Sequence, residues 1–202
     1  MIVENVKQGT EAWMQLRVGI PTASGFDKIV TTKGDRTKQY QKYLWTLAGE
    51  RLIGNKEESY QNAAMQRGIL MESEARSFYE FTYGVTVEEV GICFQDKSRK
   101  WAASPDGLLG KDGCLEIKCP MLPTMVGYML EGNLAMDYKQ QLQGQLLVTG
   151  RDWVDILAYY PGLNPIVVRV ERDKPFLKAL EAELQLFCRE LSITEAKLRG
   201  EK

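Results

Sequence analysis

Residues 104–120 read Ser-Pro-Asp-Gly-Leu-Leu-Gly-Lys-Asp-Gly-Cys-Leu-Glu-Ile-Lys-Cys-Pro. Asp112-Gly113 lies between two apolar runs, and an Asp-Gly pair in that setting is a strong signal for a β-hairpin. The midpoint between Asp106 and Glu116 is residue 111, which falls inside the predicted turn. Antiparallel pairing of the two strands therefore places the carboxylates of Asp106 and Glu116 nearly opposite each other.

The second strand of this hairpin is predicted to have one functional face and one core face. Glu116 and Lys118 are two residues apart and share a face, because side chains alternate along a strand. Two carboxylates at contact distance repel by about 4 kcal/mol near a protein surface. Such a pair either raises one pKa or holds a cation, and we favour the cation. The alternative is a hairpin that carries an ordinary exposed Asp, Glu and Lys. The opposite, apolar face consists of Leu115, Ile117 and Cys119.

The chain contains no histidine. Its absence excludes Ser-His and Cys-His nucleophile pairs and every zinc site that uses imidazole. The ligands that remain are oxygens, which suit Mg²⁺ or Mn²⁺. Such ions polarise a phosphoryl oxygen and lower the pKa of a bound water, and Lys118 can position that water or stabilise developing negative charge.

The composition is that of a folded globular protein. Its 202 residues fit a single domain over 1–202, with 44% hydrophobic and 26% charged residues. The formal net charge is only −1, so a nucleic-acid partner would require locally segregated charge. Four cysteines without a C-x-x-C pair, and no secretory leader, predict a reducing, cytoplasmic setting. No apolar stretch is long enough to span a membrane.

The hydrophobic periodicity predicts an α/β (α+β) fold with a mixed central β-sheet flanked by helices. A second short helix follows the Gly-Ile-Pro turn at residues 19–21, and Ser24 is expected to cap it. The other predicted helices cover 10–17, 37–52, 62–81, 121–131, 137–148 and 175–198. The predicted strands cover 85–94, 101–108, 114–119, 153–160 and 166–170.

The hairpin motif P-D-x(9)-E-x-K resembles the signature of the PD-(D/E)xK nuclease superfamily, with its restriction-endonuclease-like core. The residues within and around this motif resemble, more closely, the phage lambda exonuclease-like family of YqaJ-type viral recombinases. Three further blocks resemble that family in the same order, so the resemblance spans residues 13–148 and continues more weakly beyond. These blocks are Trp13–Ser24, Gly68–Arg76 and Tyr138–Gln143.

The resemblance implies a set of catalytic and metal-binding residues. Asp106, Glu116, the backbone carbonyl of Ile117 and Glu72 would bind the metal, and Lys118 would be the catalytic lysine. Gln141 would lie beside Lys118 with Tyr138 near it on the same helix. A polar face on a core helix is the alternative for these two, and Gln143 competes with Gln141 for the role.

The resemblance also implies a DNA-end site. Arg17 and Ser24 match the residues that hold the 5′-phosphate, although by themselves they would be a surface arginine and a helix cap. The Lys33–Arg36 loop is a candidate source of a third basic group. Met65 falls where the family places an apolar wedge between the DNA strands, while core packing is the alternative for a methionine at helical spacing.

The implied function is a Mg²⁺-dependent 5′ to 3′ exonuclease, with two ions per active site. It would act on 5′-phosphorylated ends of duplex DNA and leave 3′ overhangs and mononucleotides, for phage-type recombination by single-strand annealing. A ring-shaped homotrimer, a single-strand annealing protein as partner and a bacterial host's cytoplasm are implied by the same resemblance. The alternatives are another endonuclease or repair nuclease of the superfamily, or a non-catalytic module that binds DNA ends.

Overall fold

The computed structural model describes residues 1–56 and 63–201, except for the side chains of residues 63–66 and 69. Within this range the predicted helices are confirmed to within a few residues at each end. They are α1 (Glu11–Gln15), a 3₁₀ helix (Ala23–Lys28), α2 (Tyr40–Ile53), α3 (Ala63–Tyr83), α4 (Leu122–Glu131), α6 (Lys139–Thr149) and α7 (Lys174–Leu198). A further short helix, α5 (Leu134–Asp137), was not predicted.

The strands form two sheets. A three-stranded sheet has the order β1 (Ile2–Glu4), β3 (Ile92–Phe94), β4 (Ala102–Ala103) and is antiparallel. A five-stranded sheet has the order β2 (Val87–Glu88), β5 (Gly107–Leu109), β6 (Gly113–Lys118), β7 (Trp153–Ala158), β8 (Ile166–Glu171). It is mixed, because β6 and β7 run parallel while its other neighbouring pairs are antiparallel. The predicted mixed sheet is confirmed.

The hairpin forms in the predicted register. β5 and β6 are antiparallel, with Gly107 opposite Leu115 and Leu109 opposite Gly113. The turn itself covers residues 110–112, and its left-handed residue is Gly110 at φ 52°. Gly113 already belongs to β6, where a Cβ would lie 2.3 Å from the Trp153 ring of the neighbouring strand. Glycine is therefore required there by close packing against the neighbouring strand.

Helices cover both faces of the five-stranded sheet. On one face, Leu115 and Ile117 pack with Ala75 and Tyr79 of α3. On the other face, Cys114 joins the main core with residues of α6, α7 and the 3₁₀ helix. The alternative of an ordinary exposed carboxylate is wrong for Glu116. The face that carries Glu116 is also buried, since α6 packs over it.

Two parts of the sheet differ from the prediction. The predicted strand over 85–94 is divided into β2 and β3, which lie in different sheets. Likewise the stretch 101–108 is divided between β4 and β5 at Ser104-Pro105, where proline lacks the N–H that a continuing ladder needs. Strand β1 was not predicted; its three residues are too few to show a period.

The four cysteines are free thiols, as predicted from their spacing. Cys93, Cys114 and Cys188 are buried, and burial raises the pKa of Cys93 to about 12. A thiol with such a pKa stays protonated near neutrality and behaves as a small apolar side chain. None of the helices in the described ranges is long and apolar enough to cross a membrane.

Candidate active site

Asp106 and Glu116 come together because the hairpin register continues one residue beyond β5. Gly107 lies opposite Leu115, so the next opposed positions are Asp106 and Glu116. At Asp106 the chain leaves the ladder, and its side chain takes over a backbone hydrogen bond: the Ile117 N–H donates to Asp106 Oδ2 at 2.6 Å. The carboxylate of Asp106 is thus fixed against β6.

Glu116 is a buried carboxylate with three donors. Its exposed fraction is 3%. Its Oε1 accepts from Lys118 Nζ at 2.6 Å and from Gln141 Nε2 at 2.6 Å. Its Oε2 accepts from Gln145 Nε2. A buried carboxylate is costly unless it is paired and hydrogen-bonded, and these contacts supply that compensation.

Neighbouring side chains fix the position of the Lys118 side chain and keep its ammonium charged. Its Nζ also donates to Gln141 Oε1 at 3.2 Å and lies 4.6 Å from the centre of the Tyr138 ring. Burial alone would lower the pKa of Lys118, but the negative charges of Glu116 and Asp106 and the bond to Glu116 raise it above its usual value. The ammonium therefore remains protonated near neutral pH.

Burial and neighbouring negative charge raise the pKa of two carboxyl groups at this point, Asp106 and Glu72. Burial raises the pKa of Asp106 well above its usual value, and the charges of Glu116 and Glu72 add to that rise. Burial likewise raises the pKa of Glu72, against the charge of Arg76, which contacts Glu72 Oε1 at 2.6 Å. Within the described ranges, no three Asp, Glu or Cys side chains are gathered closely enough to hold a metal ion. The structure therefore brings Asp106 and Glu116 together, with Glu72 nearby but paired to Arg76.

Arg17 lies at the centre of a second polar group. Its guanidinium is 4.1 Å from the centre of the Trp13 ring. Nη2 donates to Thr22 Oγ1 at 3.2 Å and to Ser24 Oγ at 3.3 Å, and Nη1 donates to Ser104 Oγ at 3.5 Å. Burial lowers the pKa of Arg17, although arginine remains charged at any physiological pH. An arginine surrounded by three hydroxyls is a donor set suited to a phosphate.

Ser104 connects the two polar groups. It precedes Asp106 by two residues, so their Cα atoms are at most about 7 Å apart. Trp13 Nε1 donates to Ser104 Oγ at 3.1 Å and thereby fixes α1 against this segment. The group around Arg17 and the carboxylate pair are therefore adjacent.

Comparison with known proteins identifies the family. The YqaJ-like viral recombinase domain matches residues 12–152. The chain belongs to the YqaJ-like viral recombinase family. This confirms the family prediction and, with it, the prediction of a nuclease. A search of the curated proteins finds no match.

Solved structures similar to this recombinase-family chain include exonucleases. The alkaline exonuclease LHK-Exo from Laribacter hongkongensis is 35% identical, covers 94% of this chain and 96% of its own, and has a TM-score of 0.86. The same exonuclease in complex with dAMP is 36% identical, with a TM-score of 0.85. A phage-related exonuclease from Haemophilus somnus 129PT is 13% identical over 89% of this chain and 96% of its own, with a TM-score of 0.67, and shares the fold.

The geometry separates some of the residues that the recombinase resemblance suggested. Gln141 contacts both Glu116 and Lys118, whereas Gln143 donates to the Glu171 carbonyl and accepts from the Asp173 N–H on the other side of α6. Gln143, the alternative to Gln141, therefore does not lie at the site. The side chain of Met65 lies outside the described residues.

Two expectations around Arg17 change. Ser24 does not cap a helix: the N-cap position of the 3₁₀ helix is Thr22, and the Ser24 hydroxyl contacts Arg17 instead. In the Lys33–Arg36 loop, Arg36 pairs with Glu183 and Glu190 of α7 and lies over the Tyr40 ring at 3.9 Å. Its charge is engaged by α7 and not by the group around Arg17.

Sequence reasoning missed Gln145, Ser104 and Thr22. Gln145 is four residues after Gln141 and hence on the same face of α6, which is a signal that could have found it. Ser104 directly precedes the Pro105-Asp106 pair, and Thr22 lies within the block that supplied Ser24. Hydroxyl and amide side chains are ordinary surface residues in most sequences, so their type alone does not indicate a functional site.

The raised pKa of Asp106 predicts how stability depends on pH in the metal-free enzyme. A carboxyl whose pKa is higher in the folded state stabilises the fold below its unfolded pKa of about 3.9, and this contribution is lost as pH rises toward the folded pKa. We expect the Tm of chelator-treated protein to fall from about pH 4 toward neutrality more steeply than that of Asp106→Asn. Added Mg²⁺ should raise the Tm of the parent chain at neutral pH. Equal pH slopes for the two proteins in a thermal scan would contradict the assignment.

Proposed function

We propose that this chain is a Mg²⁺-dependent 5′ to 3′ exonuclease acting on duplex DNA. It would remove mononucleotides from 5′-phosphorylated ends and leave 3′ overhangs, as a single nuclease domain over 1–202. The observation that carries the proposal is the adjacency of Arg17, with its three hydroxyls, to the Asp106–Glu116–Lys118 group. The 5′-terminal phosphate and the next phosphodiester of a DNA strand are also adjacent, so one could lie at Arg17 while the other lies at the carboxylates.

The donor set fits a hard divalent cation. The charges of Glu116 and Glu72 add to the effect of burial in raising the pKa of Asp106, so the three carboxyl groups lie near one another, and the ligands available are oxygens. Asp106 and Glu116, with the Ile117 carbonyl and Glu72, would hold the metal, with two ions per site as proposed from the resemblance. When bound, Mg²⁺ supplies positive charge that polarises a phosphoryl oxygen and lowers the pKa of a water.

Lys118 and Gln141 would act on the scissile group. The Lys118 ammonium is charged, fixed on Glu116 Oε1 and supported by the Tyr138 ring. From there it can position the attacking water and stabilise negative charge that develops on the phosphate. Gln141 bonds to both partners of the Lys118–Glu116 pair and so keeps the ammonium aligned. Such fixed charges require no rearrangement when the transition state forms.

Arg17 and its hydroxyls would hold the 5′-phosphate. A guanidinium presents paired N–H groups to phosphate oxygens, and Ser24, Thr22 and Ser104 can add hydroxyl donors. A 5′-phosphate held by this group would bring the first phosphodiester of the same strand toward the carboxylates, which is what cleavage in the 5′ to 3′ direction requires. The similar L. hongkongensis exonuclease was solved with dAMP, a mononucleotide, which is the class of product proposed here.

The proposed reaction is tested with linear duplex DNA labelled differently at its 5′ and 3′ ends. With Mg²⁺, the 5′ label should be released first, as a mononucleotide, and a chelator should abolish release. Closed circular duplex of the same sequence is the matched control and should remain intact. Nicking of the circle would instead favour an endonuclease, and binding without any cleavage would favour a DNA-end-binding module.

Arg17→Ala is expected to reduce the preference for a 5′-phosphate. A hydrogen bond to a charged group is worth about 1.5–3 kcal/mol, so the ratio of rates on 5′-phosphate and 5′-hydroxyl ends should fall about 10- to 100-fold. Arg36→Ala is the matched control, since Arg36 also lies over an aromatic ring but bonds to α7. The ratio is measured by initial rates on the two duplexes. Equal rates on both ends in the parent enzyme would remove this role from Arg17.

Assembly and partners are proposed from the family resemblance. A ring-shaped homotrimer would explain how a chain of net charge −1 holds a polyanion, because basic side chains could line a channel while acids face outward. A single-strand annealing protein would receive the 3′ overhang, in the cytoplasm of a bacterial host. Analytical ultracentrifugation tests the trimer directly.

A further inference from the structure

Polar side chains of α6 and β6 meet in a regular ladder. Along β6 the contacts are made by Lys118, Glu116 and Cys114, and along α6 by Gln141, Gln145 and Thr149. Two residues of a strand advance about 6.6 Å and four residues of a helix about 6 Å, so the two series stay in step. The last contact, between Cys114 Sγ and Thr149 Oγ1, is 3.7 Å long. Gln145 and Glu116 form the middle step of this ladder.

Gln145 occupies a position where an apolar residue would be expected. Its exposed fraction is 0%, and its neighbours Leu142 and Leu146 are also fully buried. Among the described residues, Gln145 Oε1 is buried without a hydrogen-bond partner. Burying an amide whose oxygen is unpaired destabilises a fold, so another contact of the same side chain must account for its presence.

That contact is the bond to Glu116. Gln145 Nε2 donates to Glu116 Oε2, the one carboxylate oxygen that Lys118 and Gln141 do not contact. If the amide were turned over, Gln145 Oε1 would face Glu116 Oε2, and two acceptor oxygens would repel. The carboxylate of Glu116 therefore determines that Nε2 of Gln145 faces it as the donor. Lys118 and Gln141 anchor one oxygen of Glu116, and Gln145 anchors the other, which stops rotation of the carboxylate plane.

We infer that Gln145 is a positioning residue that sets the carboxylate plane of Glu116 for binding the divalent cation. The inference rests on the proposed function, in which Glu116 is a metal ligand. Partners that orient a ligand from behind typically change metal affinity by about 10- to 100-fold when removed. The orphaned Oε1 is the cost of using an amide here, because a carboxylate would repel Glu116 and an aliphatic side chain could not donate.

The test compares Gln145→Met with Gln140→Met. Both replace a buried glutamine of α6 by a side chain of similar length that cannot donate, but Gln140 Nε2 bonds to the Val30 carbonyl at 3.2 Å, away from the site. Mn²⁺ binding to the DNA-free proteins is measured by isothermal titration calorimetry. We expect about 10-fold weaker binding for Gln145→Met and binding within about twofold of the parent for Gln140→Met. The rate on saturating DNA at limiting Mg²⁺ should fall, with KM for DNA ends unchanged.

Each outcome has a distinct meaning. Parent-like Mn²⁺ affinity in Gln145→Met would overturn the inference while leaving the nuclease proposal intact. Equal loss of affinity in both variants would also overturn it, since the effect would then be general loosening of α6. If the parent itself neither binds Mn²⁺ nor cleaves DNA, the proposed function fails. Should Gln145→Met not fold, Gln145→Asn, which keeps the amide but lacks the reach, is expected to show the same loss.

Discussion

Lys118→Ala should lower the single-turnover rate of DNA cleavage by about 10²- to 10⁴-fold while the protein still binds Mn²⁺. The Lys118 ammonium is the fixed positive group beside the Asp106–Glu116 pair. Without it, Glu116 still accepts from Gln141 and Gln145, and Asp106 still accepts from the Ile117 N–H. Loss of rate without loss of metal would separate the lysine's part in the chemistry from ion binding. The two quantities are measured by rapid quench on a 5′-phosphorylated duplex and by calorimetry with Mn²⁺.

Lys139→Ala is a closely matched control. Lys139 pairs with Asp173 at 2.9 Å and lies 4.6 Å from the Phe176 ring centre, much as Lys118 pairs with Glu116 and lies over Tyr138. Both substitutions therefore remove one ion pair and one cation–aromatic contact. Lys139→Ala should cleave at the parent rate. A near-normal rate for Lys118→Ala would remove this lysine from the mechanism.

Asp106→Ala should abolish Mg²⁺-dependent hydrolysis, with a fall in rate of about 10³-fold or more, while binding of 5′-phosphorylated DNA ends is retained. Asp106 opposes Glu116 in the hairpin, so losing it removes half of the carboxylate pair that suits the ion. Arg17 and its hydroxyls are untouched by the change. Cleavage is followed on end-labelled duplex, and binding by fluorescence anisotropy in the presence of chelator.

Asp106→Asn and Asp112→Ala complete this experiment. Asparagine can still accept the Ile117 N–H bond, so it removes the charge while keeping the local fold, and it should be as inactive as alanine. Asp112 is exposed in the turn of the same hairpin and its alanine variant should be fully active. Metal-dependent cleavage by Asp106→Asn would show that the carboxylate is dispensable.

The hairpin could be predicted because its information is local. The Asp112-Gly113 turn signal and the equal distances of Asp106 and Glu116 from residue 111 determine the register without reference to the rest of the chain. The pairing of Gly107 with Leu115 has that same register. Identity of the family followed from the same segment and the three blocks around it, and the match over residues 12–152 confirms it.

What could not be predicted depends on contacts between distant elements. Gln145 reaches Glu116 across 29 positions of sequence, and Arg17 reaches Ser104 across 87. The spacing of Gln141 and Gln145 predicts a shared helix face but not that this face is buried against Glu116. The contact between Arg17 and Ser104 has no periodic signal, because neither residue lies in a helix or strand. The burial of the Glu116 face has the same origin: strand alternation says which side chains share a face, but α6 decides whether that face meets water.

The short segment from Ser104 to Asp106 fixes the spacing between the two groups of the proposed site. Its ends belong to the phosphate-holding hydroxyls and to the carboxylate pair, and Pro105 between them has little backbone freedom. Two peptide bonds would then set the distance between the bound 5′-phosphate and the cleaved phosphodiester, and no conformational change would be needed to set it. An enzyme of this kind would remove the same number of nucleotides in every cycle, whatever the base sequence of the DNA.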